Sequence, residues 1–294
     1  MVKSVVLCTI ASLILPCLCN AAPNKTTKSG LLLASNGKAK VVIALADDAI
    51  APEKTAAKDL AEYLSKITGA TFKIVSDKQV LTGASAIFVG QSAAAQKLTG
   101  INWAKLGQDG IIIRTTSENL ILAGSRPRGT LYAVYTFLED YIGCEWYTSS
   151  ASNIPKKTVL RIPKIDIVYT PQLRYRDPFY RDMVENPAFG VRMKRNGFVP
   201  GIDKGIPDDL GGHMEIIGFC HTYYQFLNPG TYFKDHPEWY SEKDGKKTAE
   251  ESQLCQSNAE MAAEMTKIVL ERIASKPQAG IISVSQNDNM GKCT

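Results

Sequence analysis

Polar side chains follow one short apolar segment near the end of the sequence. The residues Ile281–Val284 predict a buried strand, and Gln286, Asn287 and Asp288 come shortly after it. A strand with a carboxylate and amides at its C-terminal tip is typical of (β/α) barrels, which place catalytic groups there. We therefore expect Asp288 to be catalytic and Gln286 and Asn287 to bind substrate. The alternative is an Asp that only caps the following loop.

Hydrolysis of a glycoside is one reaction suited to such a carboxylate, and it ordinarily needs two carboxyl groups at a fixed separation. Where the substrate carries a 2-acetamido group, its carbonyl replaces the protein nucleophile, and a carboxylate orients that amide. Asp288 fits either role. Its partner lies beyond Thr294 or is one of three earlier acids, which are Asp177, Glu215 and Glu238.

Histidine and aromatic residues supply further binding groups. A lone histidine is more often structural, but His221 stands among aromatic residues that include Tyr223. Imidazole can bind a sugar hydroxyl, and aromatic faces stack on sugar rings, so both are expected to bind substrate. Trp239 offers the same chemistry, although we favour its packing in the core. Because His213, His221 and His236 share no metal-ligand spacing, the sequence predicts no metal site, and we expect no cofactor.

The segment Gly124–Gly129 has the glycine spacing of a phosphate-binding loop. Thr130 and Leu131 stand where such a loop continues with Lys and Ser or Thr, so a nucleotide site is not expected. We interpret the segment as a strand-to-helix turn whose arginines, Arg126 and Arg128, contact the neighbouring domain. The alternative directs one of them at an acidic sugar.

The remaining elements divide the chain into two parts. Residues 39–165 alternate strand-like and helix-like patterns and predict an α/β, sandwich-like domain. Residues 166–294 contain short strands, long loops and many prolines, and we expect the first part of a (β/α)8 TIM-type barrel. Its first strand is expected at Leu173–Asp177, and its second is expected to end within Gly218–Thr222. A complete barrel needs about 200 residues, so we expect the barrel to be truncated.

The first residues have the composition of a secretory signal peptide. Lys3, the apolar run Val5–Cys19 and a small-residue site at Ala21 predict cleavage of residues 1–21, followed by a flexible leader over residues 22–38. The apolar run is too short to span a membrane, so no transmembrane segment is expected. The sequence thus predicts a secreted or periplasmic protein. A lipid anchor on Cys17 or Cys19 is the weaker alternative.

Net charge bears on which molecules the protein binds, and cysteine content bears on whether it forms disulfides. The net charge is +5, with basic and acidic residues mixed along the chain, which does not indicate nucleic-acid binding. Beyond the signal segment the cysteines are widely spaced, with no C-x-x-C pattern, so either one or two disulfides or buried thiols are compatible. They are Cys144, Cys220, Cys255 and Cys293.

Several segments together resemble one family of secreted bacterial proteins, long described by a domain of unknown function and later linked to glycoside hydrolase family 163. The amino-terminal part is similar to the α/β domain that precedes the barrel in β-hexosaminidases and α-glucuronidases. The segments that carry the resemblance are Asp109–Arg114, Leu122–Tyr135, Gly143–Tyr147, Tyr175–Phe179, Gly218–Thr222, His236–Tyr240, Gln253–Cys255 and Ser283–Asp288.

The resemblance implies a (β/α)8 barrel, a glycan substrate, and activity on β-linked N-acetylglucosamine in N-glycans. It also implies that Asp288 and His221 line the pocket, and Arg176 is expected to bind substrate. Asn287-Asp288 stands where an Asp-Glu pair marks the hexosaminidase site, which leaves the identity of the acid open. Family members continue past the position of Thr294, so the enzyme is expected to be incomplete or inactive as this fragment.

Two alternatives remain open. One is a carbohydrate-binding protein without catalytic activity, built from the α/β domain and an aromatic-lined partial barrel. The other is an α-glucuronidase-like hydrolase, in which Arg126 or Arg128 would pair with the uronate. The sequence does not indicate an oligomeric state.

Overall fold

The protein has a mixed α/β fold in a computed structural model that describes residues 30–289. The expected signal peptide and residues 22–29 of the expected leader lie outside the described residues. The strands are β1 (Leu31–Ser35), β2 (Lys38–Ala39), β3 (Val42–Leu45), β4 (Ile74–Ser76), β5 (Ala86–Val89), β6 (Ile111–Thr115), β7 (Leu120–Gly124), β8 (Glu145–Trp146), β9 (Ser152–Asn153), β10 (Val159–Ile162), β11 (Asp166–Tyr169), β12 (Ile216–Ile217), β13 (Glu242–Lys243), β14 (Lys246–Lys247) and β15 (Ile281–Ile282).

Helices cover the sheet and fill the second part of the chain. They are α1 (Ala51–Thr68), α2 (Ala93–Thr99), α3 (Gly129–Thr136), α4 (Arg181–Glu185), α5 (Pro187–Arg192), α6 (Tyr223–Phe226), α7 (Pro229–Tyr232) and α8 (Ala259–Ser275). The helix α3 continues as a π-helical segment, Phe137–Ile142. No helix within residues 30–289 combines the length and apolar character needed to cross a membrane.

A six-stranded sheet in the order β11-β6-β7-β5-β3-β4 organises the amino-terminal part. The strands β4, β3, β5 and β7 run parallel, whereas β6 and β11 are antiparallel to their neighbours. The main core contains buried side chains of α1 and α3, and a second core contains Ala95 of α2 with Phe88 and Ile121. The α/β character predicted for the amino-terminal part is therefore confirmed.

The helix α1 shows how local sequence determines these elements. Ala56, Leu60, Leu64 and Ile67 recur at helical spacing, and all four are buried. Gly69 adopts φ +71°, the left-handed conformation that ends a helix, and its N–H donates to the Ser65 carbonyl. This spacing predicts the helix from the sequence alone.

The prediction of a flexible leader over residues 22–38 is wrong for Leu31–Ser35. This segment is the strand β1, which pairs antiparallel with β10 and buries Leu31 and Leu33. At the other boundary, β11 pairs with β6, so the sheet of the first part continues past residue 165. Both strands gain their stability from partners that are distant in sequence.

The second part contains one pair of parallel strands among its described residues, β12 and β15. The helix α8 precedes β15, which gives a strand–helix–strand arrangement. The strand expected at Leu173–Asp177 does not form. Instead the Arg176 carbonyl accepts from the N–H groups of Asn196 and Gly197, so this segment is held by loop contacts rather than by a ladder.

A buried polar cluster joins the two parts around Asp109, which is 2% exposed. Its carboxylate accepts from Arg128 Nε at 2.8 Å, from Arg176 Nη2 at 2.7 Å and from Asn196 Nδ2 at 2.7 Å. Arg128 also donates to the Gly211 carbonyl at 3.3 Å, so it contacts the second part as expected.

Arg126 has a different partner from Arg128. Its guanidinium pairs with Glu53 at 2.9 Å, within the amino-terminal part. The expectation that both arginines contact the neighbouring domain is therefore corrected for Arg126. The cause is Glu53, a fully buried carboxylate in the first turn of α1.

Candidate functional site

Three polar segments meet at the carboxyl ends of β12 and β15. They are Gly218–Thr222, Ser252–Cys255 and Ser283–Asn289, and we call their meeting point the strand-tip site. Thr222 connects two of them, because its Oγ1 donates to the Ser283 carbonyl at 2.9 Å and accepts from the Ser285 N–H at 3.0 Å. The parallel pairing of Ile216 with Ile281 brings these tips together.

The backbone before Thr222 is strained. Cys220 and His221 have φ of +35° and +48°, a left-handed region that non-glycine residues rarely occupy. The N–H groups of Thr222 and Tyr223 both donate to the Ser285 carbonyl at 3.0 Å, which holds the turn in place. Strain that is maintained by surrounding contacts is common at functional sites.

The imidazole of His221 is exposed, and its Nδ1 lies 3.2 Å from the Gln286 carbonyl oxygen. Because a carbonyl only accepts, Nδ1 is the donor in this bond. In the neutral ring Nε2 is then an acceptor, available to a hydroxyl group. His221 therefore lies beside the segment that carries Asp288.

The side chain of Gln253 fixes that segment. Its Nε2 donates to the Asn287 carbonyl at 2.8 Å, and its Oε1 accepts from the Asn287 N–H at 2.9 Å. The Asn287 side chain is itself buried and donates to the Ser252 carbonyl at 3.0 Å. Sequence reasoning named Asn287 but did not identify Gln253, although Gln253 belongs to a segment that carried the resemblance.

Asp288 is exposed, directly after the buried Asn287. Among the described residues its carboxylate makes no hydrogen bond or ion pair. Gln286, on the other side of Asn287, is also exposed. An exposed carboxylate on a backbone held in this way can act as an acid, a base or a hydrogen-bond acceptor.

The other expected substrate-binding residues lie in different surroundings. Tyr223 is half-buried at the strand-tip site, and its hydroxyl accepts from Gln256 Nε2 at 2.6 Å. Trp239 is 5% exposed and stacks against His236 with ring centroids 4.0 Å apart, so its indole packs in the core. Arg176 is tied to Asp109 and lies over the Tyr132 ring, at the junction of the two parts. The roles of these residues in substrate binding remain predictions.

The three candidate partner acids of Asp288 each have a cationic or imidazole partner. The side chain of Asp177 is 3% exposed and pairs with Arg195 at 3.1 Å. Glu215 pairs with Lys276 at 3.0 Å, and this contact lowers the pKa of the Glu215 carboxyl. Glu238 lies 3.2 Å from His236 Nδ1. Asp288 differs from all three in having no such partner among the described residues.

One group of side chains in the described part of the chain brings potential metal ligands together. The ligand atoms of His236, Glu238 and Glu260 lie within 4.8 Å of one another. Both carboxylates are exposed, a common arrangement without a metal, so this group does not indicate a metal centre.

Two family models match the sequence, and the second begins before the amino-terminal fold ends, because β10 and β11 still pair with β1 and β6. Residues 26–137 match the glycosyl hydrolase family 67 N-terminus. Residues 146–294 match a domain of unknown function, DUF4838. No curated protein matches the chain in sequence.

Solved structures share the fold. One match is described as "a novel family GH115 4-O-Methyl-alpha-glucuronidase, BtGH115A, with specificity for decorated arabinogalactans", with a TM-score of 0.53 and 15% identity. The match covers 85% of the present chain and 41% of that enzyme, so the present chain spans about two fifths of its length. Together the comparisons relate the chain to glycoside hydrolases.

Proposed function

The chain belongs to the family of the domain of unknown function DUF4838, and we propose that it acts as part of a glycoside hydrolase whose catalytic centre includes the strand-tip site. The strands β12 and β15 would then be neighbouring strands of a (β/α) barrel, with α8 between them in the chain. Catalytic groups of such barrels lie at the carboxyl ends of the strands, which is where Asp288 is placed.

The observation that carries the proposal is the environment of Asp288. Its backbone neighbour Asn287 is held by Gln253 through two hydrogen bonds, while its own carboxylate is exposed beside the segment bonded to His221. Holding the backbone reduces the entropy lost when a substrate meets the carboxylate. In the proposed mechanism Asp288 transfers a proton or orients the substrate, and His221 Nε2 accepts from a sugar hydroxyl.

For the substrate, we place an α-linked glucuronosyl residue ahead of β-linked N-acetylglucosamine. The family 67 match and the fold shared with an α-glucuronidase support the first substrate, whereas neither supports the second. We do not assign the alternative role of uronate partner to Arg126 or Arg128, because their charges are already paired with the Glu53 and Asp109 carboxylates. We further propose a secreted protein, on the composition of residues 1–21 alone.

The test compares two substrates. With the glycoside hydrolase of which this chain is proposed to be part, we expect release of glucuronic acid from glucuronic-acid-decorated oligosaccharides and no release of N-acetylglucosamine from N-glycans. Release of N-acetylglucosamine alone would reverse the substrate order. Binding of either glycan without hydrolysis would favour the carbohydrate-binding alternative and contradict an enzyme.

A further inference from the structure

A second crevice lies in the amino-terminal part, at the carboxyl ends of the parallel strands. The strand β3 has β4 on one side and β5 on the other. The helix after β3, α1, contributes to the main core, whereas α2, after β5, contributes Ala95 to the second core. The connections that follow β3 and β5 therefore run to opposite faces of the sheet. Open α/β sheets bind ligands in the crevice that forms between two such strands.

The crevice is a cavity of about 470 Å³. Ligand pockets of proteins fall in the range of about 300–1,000 Å³, so the volume suits a small molecule or one end of a glycan. Loops after β3, β5 and β7 contribute most of its lining. The lining includes Asp47, Asp48, Asp77, Lys78, Trp103 and Arg126.

Glu53 ties together the loops that line the crevice. This carboxylate is fully buried, and its oxygens accept from the N–H groups of Ile50 and Gln91, each at 3.0 Å. Arg126 donates to it from Nε at 3.1 Å and from Nη2 at 2.9 Å. Gln91 Nε2 also donates to the Gly124 carbonyl at 2.9 Å. One side chain thus ties together loops after three strands, and a binding site arranged in advance loses less entropy on binding.

Arg126 keeps binding capacity after this pairing. A guanidinium has five N–H donors, and Glu53 accepts from only some of them. The side chain is 36% exposed and lines the cavity. The remaining N–H groups of Arg126 are held in position by Glu53 and can donate to hydroxyl groups of a ligand.

The charge of the lining decides between ligand classes. Asp47, Asp48 and Asp77 outnumber Lys78 and Arg126, so the lining disfavours a carboxylate or a phosphate. Carboxylates and amides bind hydroxyl groups, and the half-buried Trp103 offers an aromatic face for a sugar ring. This combination matches a neutral sugar better than an acidic one.

We propose that this crevice is a separate binding site for a neutral pyranose, free or at the end of a glycan. The site has no part in hydrolysis and holds a carbohydrate on the amino-terminal part. It goes beyond the proposed function and does not depend on it.

The test is saturation-transfer difference NMR on the whole chain, titrated with methyl β-D-xylopyranoside and methyl β-D-galactopyranoside. Methyl α-D-glucuronopyranoside is the charged comparison. We expect at least one neutral glycoside to bind more tightly than the glucuronide in the crevice. Trp103→Ala weakens that binding about tenfold, a loss in keeping with a stacked aromatic face, and Trp103→Phe retains part of it.

Because Trp103 also packs against the second core, Asp48→Asn serves as a second variant on an exposed side chain. It too should weaken binding. Asp288→Asn should leave binding in the crevice unchanged while it affects hydrolysis, which separates the two proposals. Absence of binding by both neutral glycosides overturns the proposal, as does wild-type binding in both Trp103→Ala and Asp48→Asn.

Discussion

The carboxamide of Gln253 holds the backbone of Asn287 at both its N–H and its carbonyl, at 2.9 Å and 2.8 Å. Both residues are buried, and the next residue, Asp288, is exposed. A segment fixed in this way presents the carboxylate in one position rather than in many. The proposed catalytic role of Asp288 therefore depends on a residue that does not touch the substrate.

Gln253→Ala should lower both stability and activity. Removal of the carboxamide leaves two buried backbone groups of Asn287 without partners, and each unsatisfied group costs about 1–3 kcal/mol unless water replaces the bond. We expect a lower free energy of unfolding in urea and a lower kcat. Gln278→Ala, which removes an exposed amide bonded to Glu215, is the matched control and should change neither. An unaltered kcat in Gln253→Ala would contradict the positioning role.

Asp109→Asn should destabilise the junction of the two parts. The substitution keeps the shape of the side chain, and Asn tolerates the left-handed φ of +57° at this position. It leaves Arg128 and Arg176, which both pair with the carboxylate, without their counter-charge. Breaking a buried pair costs about 3–5 kcal/mol, and urea unfolding measures the loss.

The control for this experiment is Asp166→Asn. Asp166 pairs with Arg114 at 2.7 Å, but its side chain is 60% exposed. Exposed pairs contribute about 1 kcal/mol or less, so the control should remain close to the wild type. Equal losses in the two variants would show that the buried cluster does not hold the parts together.

Asp59 should make stability depend on pH. Burial raises the pKa of its carboxyl, against the opposing effect of the hydrogen bond that Tyr135 Oη donates at 2.7 Å. The folded state therefore binds this proton more tightly than the unfolded state. Stability from this group is present at low pH and is lost as pH rises from about 4, the ordinary Asp value, through the raised pKa.

Asp59→Asn removes this titration and retains an acceptor for Tyr135. The wild type should lose stability relative to the variant as pH rises through that window. Above the raised pKa, the difference between their free energies of unfolding should be constant. Urea unfolding at a series of pH values measures both proteins. Parallel profiles across the window would contradict the raised pKa.

Local patterns predicted much of the fold. The spacing of the apolar residues predicts α1, and the apolar runs at 110–114 and 119–123 predict the β6-β7 hairpin. Both elements form at these positions. The resemblance also implies that Asp288 and His221 line one pocket, which stays a prediction. The structure brings His221 to within 3.2 Å of the Gln286 carbonyl.

Contacts between distant segments were not predictable in the same way. Gln253 and Asn287 are separated by 34 residues, and Asp109 and Arg176 by 67. Arg126 and Arg128 occupy one turn with the same side-chain chemistry, yet Glu53 binds one and Asp109 the other. Such choices depend on which buried carboxylate the tertiary fold places nearby, and a single sequence does not contain that information in any local pattern.

The most direct test of the account is the rate of glycoside hydrolysis by Asp288→Asn, compared with Asp244→Asn. Both aspartates are exposed, but Asp244 lies in the turn between β13 and β14. Loss of a catalytic acid or base lowers rates by about 10²–10⁴-fold, so we predict that fall in kcat for Asp288→Asn, with the melting temperature unchanged. Asp244→Asn should hydrolyse at the wild-type rate. Wild-type turnover by Asp288→Asn would contradict the assignment of the strand-tip site as the catalytic centre.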